Sequence, residues 1–352
     1  MQKLKIVLCG GGTAGHIMPH VALIEELKKV FDEIHYIGSV GGMEKGIMSV
    51  IPDVIYHEIT CVKFRRSLSP KNLAIPFKLT QGVIQAKKLL NTIKPAVIFS
   101  KGGYVSVPVV WAAPKDCKVF VHESDMSMGL ANKLCQNRAN KILCTFSTLA
   151  QKLKKGMHTG TPLRSSIYRG NKQKIFDELK IGRRKVILVM GGSLGAKRIN
   201  EVLRETLGRL LVKYDIIHIT GKGNIDTRYN YPDYHQFEFR TDIPDIYAAS
   251  DLVVTRSGSN AICELAALKK PMLLIPLPKA ESRGDQIQNA QYFFENGLAE
   301  VLYQEDLDAE RLYESIMNLE KNKQKYITNL QKMPNLDGTR KVLDIITSSI
   351  KS

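Results

Sequence analysis

The chain has 352 residues, of which 44% are hydrophobic and 24% are charged, a composition typical of globular proteins and long enough for two domains. Lysine and arginine outnumber aspartate and glutamate by 51 to 34, giving a net charge of +17, which indicates an anionic partner such as a phosphorylated substrate, anionic lipid or nucleic acid. The six cysteines contain no C-x-x-C pair, which argues against a zinc site, and a chain of this length is not expected to need a disulfide framework. No apolar run approaches the ~20 residues that cross a bilayer, so we expect any membrane contact to be peripheral, at the cytoplasmic face of the cell membrane.

Both halves of the chain open with the same pattern of strand, glycine loop and helix. In the first half, an apolar strand at residues 4–9 leads through Gly10, Gly12 and Gly15 into an amphipathic helix whose apolar positions are Val21, Ile24, Leu27 and Val30. In the second half, a strand at 185–190 and a glycine loop at 191–195 precede a helix whose apolar positions are Ile199, Val202, Leu203, Leu207 and Leu210. The pattern predicts one α/β domain in each half.

Short apolar strands alternate with helical segments through the rest of the chain. The clearest of these strands are residues 34–37, 96–100, 119–122, 216–220, 252–255 and 272–275. Such alternation predicts parallel sheets covered by helices on both faces. We therefore predict two Rossmann-like, doubly wound domains facing a cleft, at residues 1–162 and 163–335, with a C-terminal helix in 336–352 that packs back on the first domain.

The first glycine loop matches the dinucleotide-binding pattern G-x-G-x-x-G at Gly10, Gly12 and Gly15. A dinucleotide site also needs an acidic residue at the end of the second strand to hold the ribose. Here the next acid is Glu44, beyond two further glycines, so the pattern argues against a dehydrogenase. Each loop still places backbone N–H groups at a helix N-terminus, which favours an anionic ligand between the two domains.

A second cluster of polar residues follows the predicted strand at 252–255. Arg256, Ser257 and Gly258 lead into a helix that carries Glu264 about one turn in. A carboxylate there can accept hydrogen bonds from both hydroxyls of a ribose, although it can also simply complement the helix dipole. Further on, Gln286 has the donors and acceptors that suit sugar hydroxyls and amides.

These motifs, taken in order, resemble the MurG family of peptidoglycan glycosyltransferases over nearly the whole chain. The resemblance rests on residues 11–16, 101–108 and 191–196, on His122 with Glu123, on Arg164 after 160–162, on 256–264 and on Gln286. It implies the two-domain GT-B fold and a transferase that moves N-acetylglucosamine from UDP-GlcNAc to the lipid-linked precursor lipid I. The product would be lipid II, the precursor used in cell-wall biogenesis, cell shape maintenance and division.

The resemblance also implies roles for particular residues. On the donor side, Glu264 would bind the ribose, Ser193 and Arg164 the diphosphate, Gln286 the GlcNAc, and the segment with Ser259, Asn260 and Ala261 would lie along the nucleotide-sugar. On the acceptor side, Thr13, Ala14 and Gly15 would approach the sugars, and Gly103 and Tyr104 the acceptor. His16 would be the general base, with Asp125 as a competing base. The chain departs from the family at Ala14, often Gly, at Asp125, often Asn, and at Arg240, usually aliphatic.

The implied reaction is a single displacement with inversion, in which an acceptor hydroxyl attacks and UDP leaves. The only D-x-D pair, Asp306 and Asp308, opens a predicted helix, where acids are expected as caps. We therefore expect no metal and no cofactor, because helix N-termini and Arg164 can stabilise the leaving diphosphate.

The segment 65–88 is the candidate membrane surface. It mixes apolar residues, including Ile75, Phe77 and Leu79, with arginines and lysines, while Pro70 and Pro76 interrupt its regularity. An apolar patch rimmed by cations suits an anionic membrane surface, whereas the alternative is a helix packed on the sheet with solvated lysines outside.

Three rival functions stay open at this level. They are a UDP-sugar transferase acting on another lipid, as diacylglycerol glucosyltransferases do, a UDP-sugar epimerase that needs no acceptor, and a nucleic-acid-binding protein. The last is disfavoured because the basic residues are scattered and no nucleic-acid-reading motif is present. The expected partners are therefore UDP-GlcNAc, lipid I and an anionic membrane surface, with other cell-wall enzymes as further candidates and no nucleic acid.

Overall fold

The structure is a computed structural model that describes residues 3–62, 75–192 and 195–350. The chain divides into two compact units. The first runs to Arg164 and includes the C-terminal segment from Leu336, and the second spans Ser165–Asn335. The division falls two residues after the predicted one because this stretch is bonded to the C-terminal segment: Thr161 N–H donates to Leu336 O (2.8 Å) and Leu163 N–H to Thr339 Oγ1 (2.9 Å).

The first unit is built on a sheet whose described strands are all parallel. The strands are β1 (Lys5–Cys9), β2 (Glu33–Ser39), β3 (Val54–Ile59), β4 (Val97–Ser100), β5 (Lys118–Glu123), β6 (Lys141–Cys144) and β7 (Gly156–His158). Their order in space is β3-β2-β1-β4-β5-β6-β7. The helices are α1 (Ala14–Leu27), α2 (Met43–Met48), α3 (Ile75–Ile93), α4 (Ser106–Trp111), α5 (Leu130–Cys135), α6 (Ser147–Lys152) and, from the chain end, α13 (Thr339–Ser348).

Alternation along β1 divides the core of this unit between the two faces of the sheet. Val7 and Cys9 point into one apolar cluster, shared with residues of α3, α4, α5 and α6. Ile6 and Leu8 point into the other, shared with α1 and with Val342 and Ile346 of α13. The C-terminal helix therefore completes the core of the first unit. Val30, predicted on the apolar face of the first helix, instead lies beyond the end of α1 and is exposed.

The second unit repeats the architecture, and its described strands are again all parallel. The strands are β8 (Lys185–Met190), β9 (Tyr214–Ile219), β10 (Tyr234–Phe237), β11 (Leu252–Thr255), β12 (Met272–Leu274) and β13 (Glu300–Val301), in the order β10-β9-β8-β11-β12-β13. The helices are α7 (Lys172–Leu179), α8 (Lys197–Leu210), α9 (Ile243–Ala249), α10 (Ser259–Ala267), α11 (Asp285–Glu295) and α12 (Ala309–Lys332), with short 3₁₀ helices at Ser165–Arg169 and Gln304–Asp306. All five apolar residues predicted for the core face of α8 are buried.

The strand order places the candidate loops within each unit. In the first sheet β1 lies between β2 and β4, and in the second β8 lies between β9 and β11, so the connections leave each central strand in opposite directions. Ligands of open α/β sheets bind beyond the carboxyl ends of the strands at this switch point. The loops after β1 and β4, and those after β8 and β11, therefore occupy the expected binding positions of their units.

Candidate functional site

Two glycine loops are packed tightly together at the carboxyl edge of the first sheet. Gly103, in the loop after β4, has φ +79°, and a Cβ there would lie 2.2 Å from the carbonyl oxygen of Gly11. Gly12, in the loop after β1, has φ +92°, and a Cβ there would lie 2.7 Å from a ring carbon of Tyr104. Neither close approach leaves room for a side chain. The structure thus brings the predicted acceptor residues Gly103 and Tyr104 against the loop that leads to Thr13 and His16.

His16 lies in the first turn of α1, which Ala14 begins and which also contains Gly15. Its Nδ1 is 3.0 Å from the carbonyl oxygen of Lys101. A carbonyl only accepts hydrogen bonds, so Nδ1 carries the proton and Nε2 is the basic nitrogen of the neutral ring. Thr13 precedes the helix as its N-cap and accepts the His16 backbone N–H (3.0 Å). The loop therefore fixes both the tautomer and the position of the imidazole.

A hydrogen-bonded chain fixes the ring of Tyr104. The backbone N–H and the hydroxyl of Ser39 both donate to Glu44 Oε1, at 2.7 and 2.6 Å. Because the Ser39 proton is used in this way, the Tyr104 hydroxyl, 3.2 Å from Ser39 Oγ, is the donor in that contact. Glu44 is fully buried, so a carboxylate inside the domain sets the orientation of a tyrosine at the loop surface.

Asp125 lies in the turn after β5, and the buried Glu123 organises that turn. Glu123 accepts the N–H groups of Asp125 (3.2 Å) and Gly129 (2.8 Å) and the side-chain amide of Asn132 (2.8 Å). Burial, followed by the negative charge of Asp125, raises the pKa of Glu123. The His-Glu pair of the motif thus positions the candidate base that follows it, and β5 lies next to β4 in the sheet.

In the second unit, the segment with Ser259, Asn260 and Ala261 forms the first turn of α10, immediately beyond β11. Glu264 follows one turn later and is half-buried, with its Oε2 accepting the hydroxyl of Tyr247 of α9 (3.2 Å). Ser193, predicted to contact the diphosphate, lies outside the described residues. The N-termini of α8 and α10 both begin at this edge, where the dipole of a helix favours anions.

The loops after β11 and β12 are joined by direct bonds. Ser257 Oγ donates to the carbonyl oxygen of Gln286 (2.8 Å), and Gln286 Oε1 accepts the backbone N–H of Leu277 (3.1 Å). The buried Arg256 donates to the carbonyl oxygens of Ile275 and Pro276, both at 3.1 Å. Gln286 therefore uses its side-chain oxygen to shape the loop, and its amide N–H groups are the part suited to a sugar oxygen.

Two arginines of the sequence prediction lie in different settings. Arg164 is the last residue of the first unit and is half-buried. Arg240 follows β10, and its guanidinium contacts Glu178 (2.5 and 2.8 Å) and Asp242 (2.8 and 2.6 Å). These two carboxylates raise the pKa of Arg240. The unusual arginine is thus part of an ion-pair cluster that links α7 to the start of α9.

The three candidate membrane residues on α3 differ in how exposed their side chains are. Residues 63–74 lie outside the description; Phe77 is 76% exposed, Ile75 is half-buried, and Leu79 packs against the core. Leu79 is only partly buried, so its assignment to a membrane surface stays a prediction, with less exposed area than Phe77 offers. Pro76 does not interrupt the helix, since it lies in the first turn, where its missing N–H has no role.

The structure adds apolar surface that the sequence analysis missed. On α3, Ile84 is exposed seven residues after Phe77, on the same side of the helix. The neighbouring α4 and α5 carry three more exposed residues, Trp111, Leu130 and Leu134, and Trp111 Nε1 donates to the Leu134 carbonyl oxygen (2.9 Å). Trp111 is the only tryptophan of the chain, which is the one signal that could have drawn attention to it. None of the described helices combines the length and hydropathy of a bilayer-spanning segment.

The D-x-D pair has structural roles. Asp308 is the N-cap of α12 and accepts the Arg311 backbone N–H (2.8 Å), while Asp306 pairs with the Arg311 side chain (2.5 Å). Within the described ranges, no group of three or more His, Cys, Asp or Glu residues is arranged to hold a metal ion. The acids therefore begin a helix, as the sequence predicted.

Comparison with known proteins identifies the family. Residues 6–144 match the N-terminal domain of glycosyltransferase family 28 and residues 186–346 match its C-terminal domain. The chain is 44% identical, over 99% of its length and 99% of the relative's, to a protein of Lachnospira eligens named UDP-N-acetylglucosamine--N-acetylmuramyl-(pentapeptide) pyrophosphoryl-undecaprenol N-acetylglucosamine transferase. The chain belongs to glycosyltransferase family 28. The predicted glycosyltransferase identity is confirmed.

Solved structures confirm the fold of this family 28 enzyme. The crystal structure of MurG from Acinetobacter baumannii matches with a TM-score of 0.78 at 23% identity, covering 98% of this chain and 99% of that one. A UDP-N-acetylglucosamine 2-epimerase, so far described as putative, from Listeria monocytogenes matches with a TM-score of 0.69 at 14% identity, covering 99% and 97%. The predicted pair of parallel-sheet α/β domains is thus confirmed, and the same fold serves enzymes of more than one reaction class.

Proposed function

We propose that this family 28 enzyme transfers N-acetylglucosamine from UDP-GlcNAc, with inversion, to the 4-hydroxyl of the MurNAc sugar in lipid I, forming lipid II. The observation that carries the proposal is the 44% identity, over the full length of both chains, to a relative named for this transfer. Low-identity matches to a transferase and an epimerase support the fold alone, so the reaction is argued from the near relative and from the residues of the site.

Donor binding belongs to the second unit in this proposal. The Glu264 carboxylate is held by Tyr247 at the side of α10 and can accept both hydroxyls of a ribose. The N-termini of α8 and α10 favour the diphosphate. The amide of Gln286 would donate to the GlcNAc. Because these groups together can stabilise the charge that develops on departing UDP, we propose that the displacement needs no metal.

Acceptor activation belongs to the first unit. His16 donates from Nδ1 to the Lys101 carbonyl oxygen, which supports Nε2 as the atom that takes the proton from the attacking hydroxyl. Asp125, in the turn organised by Glu123, is the alternative base. The bond that forms joins the acceptor oxygen to the anomeric carbon, the bond that breaks is the one to UDP, and the proton passes to the base.

A lipid-linked acceptor requires contact with a membrane, and α3 to α5 carry the features that suit it. Phe77, Ile84 and Trp111 are exposed apolar residues, and the exposed lysines on α3 include Lys78 and Lys88. We propose that this face binds the anionic cytoplasmic leaflet peripherally, by apolar insertion combined with attraction to lipid phosphates.

The test is transfer of radiolabelled GlcNAc from UDP-GlcNAc to a lipid I analogue in the presence of EDTA. Wild type should give a labelled lipid. Glu264→Ala should give at least about tenfold less, because the ribose loses a charged hydrogen-bond acceptor. Glu314→Ala removes an exposed glutamate on α12 and should behave as wild type.

Other outcomes distinguish the alternatives. If labelled product forms only when diacylglycerol is supplied as the acceptor, the acceptor is a glycerolipid and not lipid I. Release of UDP or an epimerised sugar without any acceptor would favour the epimerase reaction instead. Activity abolished by EDTA and restored by a divalent cation would refute the metal-free mechanism while leaving the transfer itself intact.

A further inference from the structure

A buried lysine stands at the centre of the carboxyl edge of the first sheet. Lys101 directly follows β4 and is only 2% exposed. Its backbone N–H donates to the Cys9 carbonyl oxygen at the end of β1 (3.0 Å), and its carbonyl oxygen accepts His16 Nδ1–H (3.0 Å). The main chain of this residue therefore holds both the start of the first glycine loop and the candidate base beyond it.

The side chain of Lys101 reaches the other loops of the same edge. Its Nζ donates to His122 Nδ1 (2.8 Å), to the hydroxyl of Ser124, and at 3.5 Å to that of Thr161. His122 Nε2 lies 2.8 Å from the Gly160 carbonyl oxygen, so Nε2 carries the ring proton and Nδ1 accepts from the ammonium. The ammonium of Lys101 and the proton of His122 thus both act as donors in this network.

We propose that Lys101 is a positioning residue for catalysis, which holds His16 through its carbonyl and the Ser124–Asp125 turn through its ammonium, so that both base candidates keep a fixed placement. This inference rests on the proposed function, since it concerns the groups that would activate the acceptor. Lys101 begins the 101–108 motif, but the sequence alone assigns it no role, because a lysine before two glycines is normally expected at the surface.

The ammonium also controls charge at this edge. After burial, it is the second cause that lowers the pKa of His20, to about 3, and the pKa of His122 well below its ordinary value. His20 lies one helical turn beyond His16. Both buried imidazoles are therefore neutral. The titratable groups around the network, which all bear on any pH profile, are Cys9, His16, His20, His122, Glu123 and Asp125.

The test compares Lys101→Met, which keeps side-chain length without the charge or donors, with Lys118→Met, an exposed lysine at the start of β5. Lys101→Met should lower kcat about 100-fold, the usual effect of a catalytic group misplaced by about 1 Å. UDP-GlcNAc binding, measured by calorimetry, should stay within about twofold. The acidic limb of the plot of kcat against pH should move to higher pH by about 0.5 unit or more. The reason is that the Lys101 ammonium, which disfavours protonation of a neighbouring imidazole, has been removed. Lys118→Met should match wild type in all three.

The outcomes separate the possible failures. A folded Lys101→Met variant with wild-type kcat and an unshifted profile would overturn the inference, while lower kcat with an unshifted profile would reduce Lys101 to a purely structural role. If Lys101→Met does not fold, Ser124→Ala decides: kcat reduced about fivefold or more at unchanged donor binding supports the inference, and unchanged kcat overturns it. A wild-type chain that makes no lipid product refutes the proposed function first and this inference with it.

Discussion

The packing of the two glycine loops in the first unit gives the sharpest prediction. Gly103 has φ +79°, and a Cβ there would lie 2.2 Å from the carbonyl oxygen of Gly11. Contacts of real Cβ atoms essentially never fall below 3.0 Å, so Gly103→Ala must separate the loops by about 0.8 Å. Because the obstructing atom belongs to the backbone, no side-chain rotation can relieve the overlap.

Two costs add in Gly103→Ala. The left-handed backbone conformation costs a residue with a Cβ about 1–2 kcal/mol, and overpacking costs about 1–3 kcal/mol. A total of roughly 2–5 kcal/mol should lower the unfolding midpoint of a unit of this size on the order of 10 °C. The same 0.8 Å shift displaces the loop that leads to His16, so kcat for lipid product should fall about tenfold to 100-fold.

The unfolding midpoint of Gly103→Ala, measured by thermal unfolding, and its kcat for lipid product, measured under the same conditions as wild type, test these effects. Gly46→Ala is the matched control, since nothing lies within 4 Å of a Cβ at that helical position, and it should be neutral or slightly stabilising. If Gly103→Ala has the unfolding midpoint and kcat of wild type, the reasoning is refuted, because the two loops then accommodate a Cβ at residue 103 without moving apart.

The other predictions concern the base, the membrane face and pH. His16→Ala should lower kcat about 100-fold or more with UDP-GlcNAc binding unchanged by calorimetry; unchanged turnover would remove His16 from the mechanism. The double variant Phe77→Ser, Ile84→Ser should bind anionic liposomes more weakly than wild type, with the same unfolding midpoint. Val212→Ser, which also replaces an exposed apolar residue, should leave liposome binding unchanged. Wild-type liposome binding by the double variant would contradict the proposed membrane face. Burial, then Arg204, lowers the pKa of His218 to about 3. The unfolded chain therefore binds an extra proton below about pH 6.5, and stability is full above that pH and falls by about 1.4 kcal/mol per unit toward pH 3. Denaturant unfolding of His218→Gln from pH 7 to 5 should show a slope smaller by one proton, and an equal slope would contradict this account.

The sequence by itself determined the repeated architecture. Continuous apolar runs predicted β8 and β11 with the observed bounds, because a strand buried on both faces needs no partner information to be recognised. The helical spacing of apolar residues likewise predicted the buried face of α8. Glycines after a strand and before a helix marked the turns, and the acids at 306–308 marked the start of α12. Each of these signals lies within one short segment.

The weaker strands could not be predicted in this way. β3 carries polar and exposed residues, and β13 has two residues, so neither shows a continuous apolar run. They are strands because a neighbouring strand supplies the ladder of hydrogen bonds. The partial burial of Leu79 and the exposure of Ile84 on one helix are also set by where the sheet and α4 lie relative to α3.

The candidate site divides along the same line. Residue type and motif were enough to predict His16, Asp125 and Glu264 as site residues. The groups that contact them, however, belong to segments far apart in the chain. Gly103 must be glycine because of Gly11, and Lys101 becomes a central contact only because β1, β4 and β5 are neighbours. The periodicity of apolar residues in a segment indicates which of its faces is buried. Which distant atoms cover that face is decided when the parallel strands align and bring their carboxyl ends to one edge.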